Sequence, residues 1–250
     1  MGMYRWPLRT DARSCWKPYV LFLAYLAWLA LTPGLASTTD GRIDGRPAAS
    51  NNCYLLLQFI TCFFVAGITA GMFEETFRKP SKEYIGAFPL GAAQKVLLRY
   101  LRLLAFILAP YVPTVLIMFT NANASLQEYL SGGPFQEYLL LVPDLGEVPP
   151  IPLAVPLVQC VIAVNFYAAA TIFLLFLFQD KILTLVVIMV YCALEAAMLH
   201  FVFPQLAVFR GAFSMPDFYH FFPINIRLLA GASIAMLVCV QLFYRSWRAK

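Results

Sequence analysis

TIFLLFLFQDKILTLVVIMV, Thr171 to Val190, consists of two apolar runs parted by one polar triplet, Gln179-Asp180-Lys181. A connection this short joins only neighbouring antiparallel elements. The apolar chain extends on either side to about Leu153–Phe178 and Ile182–Phe203. Those lengths match the roughly 20 residues a helix needs to cross a hydrocarbon core about 30 Å thick. No alternation with period two is present, which argues against barrel strands. Lipid admits only helices or closed barrels, because every backbone polar group must be satisfied internally. The stretch therefore reads as a membrane-spanning helical hairpin with a tight turn at one face.

Working outward, comparable runs lie at about 18–35, 53–73, 97–120 and 224–244. With 153–178 and 182–203 they make an all-α membrane protein of six transmembrane helices. The composition agrees: the 250 residues are 61% hydrophobic and only 12% charged, where a soluble domain carries about a quarter charged residues. Residues 18–250 read as one membrane domain, with no room for a soluble one. Residues 1–17 place Trp6, Leu8 and Trp16 among basic side chains, as suits an interfacial N-terminal segment. Pro110 and Pro113 are expected to kink the third span, and Pro152 and Pro156 the start of the fourth.

Charge sets the orientation. With the N-terminus inside, all of the 18 Lys and Arg fall on the cytoplasmic side except Arg42, Arg46, Arg210 and Arg227. This is a strong positive-inside bias. The segment Asn121–Pro150 has no Lys or Arg but carries Glu128, Glu137, Asp144 and Glu147, in keeping with an outer loop. The expectation is a multi-pass protein of the plasma membrane with both termini cytoplasmic. The first span imitates a secretory signal, ending in GLA before Ser37. Its removal would put the C-terminus on the wrong side, so it is expected to be retained. The doubled DGR of the first outer loop reads as turns.

Soluble chemistry is scarce. Cys62, Cys160, Cys192 and Cys239 fall inside spans, and no CxxC or Cys/His ligand spacing occurs, so neither a disulfide framework nor a metal site is indicated. No GxxxxGK[ST] or GxSxG motif is present. The net charge of +5 reflects the inner face rather than a nucleic-acid partner. Glu74-Glu75 with Arg78 or Lys79 resembles the signature of intramembrane CAAX-type proteases. General-base chemistry needs its groups within about 3 Å or bridged by one water. His200 and His220 belong to the opposite face, across the hydrocarbon core, so this reading is disfavoured.

FEETFRKPSKEYIGAFPL, Phe73 to Leu90, is a charged interruption between the second and third spans. A short helix from Ser81 to Phe88 would have Ser81 as N-cap and Glu83 in its first turn, favourable against the helix dipole. Tyr84, Ile85 and Phe88 would share one face. An apolar patch among cytoplasmic charges points to a protein partner. The spacing of Glu75, Ser81, Glu83 and Pro89, followed by the basic Arg99, resembles the permease subunits of ABC-2 type ABC transporters. Pro80-Ser81 stands where that family usually has Gly-Thr. The plan of a basic interfacial start, six spans and both ends inside is similar to that family too.

The resemblance implies an exporter-like permease with a cytoplasmic coupling helix. Glu75, Ser81, Glu83, Tyr84, Ile85, Phe88 and Pro89 would dock into a separate ATP-binding subunit. It also implies a second permease chain, identical or different, with ATP and Mg held by the partner ATPases and no cofactor on this chain. A small molecule, lipid or peptide would be the cargo. This chain itself is not expected to be an enzyme. The reading from another class is a non-transporting membrane scaffold or accessory subunit. Glu195, a lone acid well inside the fifth span, is the remaining polar candidate, with Asn165 and Gln159 of the fourth span as possible partners.

Overall fold

The computed structural model describes residues 5–31, 42–43, 46–47, 61–77, 92–131, 154–195 and 218–248. Helix α1, Arg5–Leu31, joins the N-terminal segment to the first apolar run without a break, with Pro18 inside it. A π-helical turn, Thr61–Val65, leads into α2, Ala66–Phe77. Then come α3, Ala92–Ser131, α4, Ala154–Phe178, α5, Lys181–Leu194, and α6, Phe218–Arg248. The doubled DGR segment forms a small antiparallel pair, β1 (Arg42–Ile43) and β2 (Arg46–Pro47), with Ile43 opposite Arg46. Asp44-Gly45 between the strands is the dipeptide that two-residue hairpin turns favour.

Three helices contain segments long and apolar enough to cross a membrane: Val96–Met118, Leu157–Phe178 and Pro223–Leu242. Shorter apolar helical segments are Cys15–Leu31, Cys62–Glu74 and Lys181–Leu194. The chain is thus a helical, membrane-embedded protein. Its side chains are distributed as lipid requires. On α5, Thr184, Ile188 and Cys192 turn inward, while Ile182, Leu183, Val186, Met189, Val190 and Leu194 face out. Large aliphatic groups outside and a hydroxyl inside would be unfavourable in water, where exposed apolar patches of this size are rare.

The centre is α4, which packs against α2, α3, α5 and α6. Its sequence is largely apolar on every side, as suits a helix enclosed by others. Along α3 the buried residues Val96, Tyr100, Leu103, Ile107, Tyr111, Val115 and Met118 recur every three or four positions and form one seam. α2 and α4 pack on each other, and both bury small residues, Ala66 and Ala70 on α2 and Ala163, Ala168 and Ala169 on α4. Without a hydrophobic drive in lipid, such small-residue packing is a main source of helix association.

Pro110 and Pro113 do not end α3, which runs on to Ser131. Pro110 has no N–H for the carbonyl of Phe106, four residues earlier. Tyr19 of α1 supplies the missing donor, its hydroxyl lying 3.2 Å from Phe106 O with the two rings stacked at 3.7 Å. Thr114 donates back to Pro110 O at 3.0 Å. The α4–α5 turn is equally well bonded. Gln179 adopts φ 53 and donates to Leu175 O at 2.9 Å, which closes α4. Asp180 caps α5, its carboxylate accepting from Leu183 N at 2.9 Å.

Candidate functional site

Two polar groupings stand out in an otherwise apolar bundle. The first surrounds Glu195, at the end of α5, which is 0% exposed. The helix geometry persists to this residue, whose N–H donates to the Tyr191 and Cys192 carbonyls. The hydroxyl of Tyr167, buried on α4, donates to Glu195 Oε2 at 3.0 Å and lies 3.7 Å from Cys192 Sγ. The π-helical turn brings in Cys62, whose thiol donates to Ile188 O at 3.7 Å. Tyr191 and Phe166 wall the group, with Tyr167 and Tyr191 ring centroids 6.5 Å apart. Widened turns of this type occur frequently at functional positions in helices.

The depth of this cluster follows from helix rise. Cys62, Tyr167 and Glu195 stand about 16–21 Å along their helices from Glu74, Phe178 and Lys181 at the other end, at 1.5 Å per residue. The cluster is thus set well into the bundle, away from that end. A carboxyl at such depth requires hydrogen-bonding partners, and an interhelical phenol is a fitting one.

The second grouping lies at that other end. Glu74, in the last turns of α2, places Oε2 3.6 Å from Lys181 Nζ at the start of α5. The guanidinium of Arg99 on α3 sits over the ring of Phe73, 5.6 Å from its centroid. Phe73 is fully buried. α2, α3 and the α4–α5 turn therefore meet here.

Of the residues singled out from sequence, Glu75 belongs to the last turns of α2. Ser81, Glu83, Tyr84, Ile85, Phe88 and Pro89 lie outside the described residues. Asn165 does not meet Glu195 in the hydrogen bonds seen here. It faces α3, where the Tyr100 hydroxyl donates to both its side-chain and its backbone oxygen. Gln159 is buried on α4, two turns before Tyr167. A partner that sequence reasoning missed is Tyr167. Spacing held a clue, since Tyr167 and Thr171 are polar positions four residues apart on a largely apolar helix. The Thr171 hydroxyl is satisfied within the helix, by Tyr167 O at 2.6 Å, which leaves the phenol to bond across. Among the described residues no group of three or more His, Cys, Asp and Glu is arranged to hold a metal ion.

No protein-family description, curated protein or solved structure matches this chain.

Proposed function

We propose that this chain is the membrane-spanning subunit of an ATP-driven transporter, an exporter similar to the ABC-2 type. It has six spans and both termini in the cytoplasm of a plasma-membrane protein. ATP and Mg belong to separate partner subunits, and a second permease chain completes the path for a small molecule, lipid or peptide. The observation that carries this reading is the convergence at the inner end of the bundle. Phe73 and Arg99 flank residues 78–91 and touch at 5.6 Å. The helix that leads into the charged stretch and the helix that follows it are thereby tied to each other, beside the turn that joins the central helix to α5. A segment so anchored is suited to receive a push from a partner and deliver it to several helices at once.

In this role Tyr84, Ile85 and Phe88 enter a cleft of the ATPase, while Glu75 and Glu83 meet basic groups at its rim. Ser81 caps the docking helix and Pro89 ends it. Aromatic anchors commonly contribute about 2 kcal/mol or more each to an interface, and rim charges less. Phe88→Ala and Tyr84→Ala should therefore weaken co-purification of an ATP-hydrolysing subunit from native membranes and remove transport-coupled hydrolysis. Glu83→Ala should be milder and sensitive to salt. The reading fails if all three variants retain wild-type association. It fails equally if no ATPase accompanies the wild-type chain, the result a scaffold or accessory role would give.

A further inference from the structure

We propose that Lys181 is a positioning residue for energy coupling: through Glu74 it links the base of the docking stretch to the α4–α5 turn, and so to the central helix. The proposal rests on the docking role of residues 78–91. It adds a route by which movement there reaches the interior.

Three features make Lys181 suited to this. Its partner Glu74 adjoins Phe73, on whose ring Arg99 sits, and stands one turn before α2 ends, so the 3.6 Å ion pair is made where the helix leading into the stretch meets α3. Lys181 also cannot move alone. The turn it belongs to is braced by Gln179 N–H on Leu175 O, by Leu183 N–H on the Asp180 carboxylate, and by the Thr184 N–H and hydroxyl, both on Asp180 O. A pull on Lys181 is thus a pull on both α4 and α5. Finally, α4 packs against α2, α3, α5 and α6, so a displacement of its inner end is felt across the bundle.

The pair is partly solvated, with side chains 36% and 27% exposed. Ion pairs in such surroundings contribute little to stability. A contact of this strength is poorly suited to holding a fold together, but it can form in one state and release in another without a large barrier.

The test separates docking from coupling. With the wild-type chain and its co-purified ATPase in proteoliposomes, Lys181→Gln should leave thermal stability, ATPase association and unstimulated hydrolysis unchanged. Cargo-stimulated hydrolysis should fall about two- to fivefold, the ratio that corresponds to a partly exposed ion pair. Glu74→Gln should do the same. The exchanged pair Glu74→Lys with Lys181→Glu should restore stimulation, which a merely structural role of either residue does not predict. Wild-type stimulation in Lys181→Gln overturns the proposal, and so does an exchanged pair no better than the single variants. Absence of any ATPase with the wild-type chain removes the docking role itself, a result visible before any variant is made.

Discussion

Gln179 ends α4 with φ 53, a left-handed conformation in an L-residue with a Cβ. Such a residue carries about 1–2 kcal/mol of steric cost, which glycine escapes at an entropic cost of about 0.5–1 kcal/mol. Gln179→Gly is therefore expected to raise stability by about 0.5–1 kcal/mol, seen as a higher thermal midpoint in detergent. A lower midpoint would mean that the Gln side chain itself contributes at the turn. Glu195 gives a prediction of the opposite sign. Glu195→Gln keeps an acceptor for Tyr167 and should hold near wild-type stability. Glu195→Leu strands the phenol in a dry interior and should cost about 1–2 kcal/mol, near the upper end for interhelical hydrogen bonds in membranes. Adding Tyr167→Phe to Glu195→Leu should recover part of that loss, because removing both partners leaves no unpaired group. If Glu195→Gln folds normally but transport stops, the carboxyl acts on cargo or protons as well as bonding Tyr167.

At the scale of elements, the joint between α1 and α3 rests on a defect in the α3 ladder. Pro110 withholds a donor from Phe106 O, and Tyr19 replaces it from the neighbouring helix. Tyr19→Phe keeps the stacked ring but deprives the carbonyl of this donor, and should lower stability by about 1 kcal/mol. In a Pro110→Ala background the same substitution should cost less, since the helix then supplies its own N–H. Equal losses in both backgrounds would show that the hydroxyl does not serve this carbonyl. The prolines of the third span were visible in the sequence as interruptions. What they left exposed, and which residue met the need, was not, because Tyr19 and Phe106 are 87 residues apart.

At the scale of the whole molecule, the proposed orientation sets the docking stretch inside and the acidic segment 121–150 outside. In a variant with its native cysteines replaced, Ser131→Cys should react with an impermeant thiol reagent on intact cells, while Ser81→Cys should react only after lysis. Labelling of Ser81→Cys on intact cells would reverse the topology and remove the cytoplasmic partner. Helical, membrane-embedded architecture was legible from the sequence alone, because hydrophobic length is a local property of consecutive residues. The tight hairpin at Gln179-Asp180-Lys181 was legible for the same reason: three residues leave the chain no other route. The proposed orientation likewise rests on local composition, and the thiol labelling decides it. The tertiary structure alone decided that α4 is the central helix, that Tyr167 rather than Asn165 bonds Glu195, and that Glu74 reaches Lys181. Each of these depends on how far a helix is rotated about its axis and which neighbour it meets. In a largely apolar helix such as α4 the sequence carries little information about rotation, since most of its surface is equally at home in lipid.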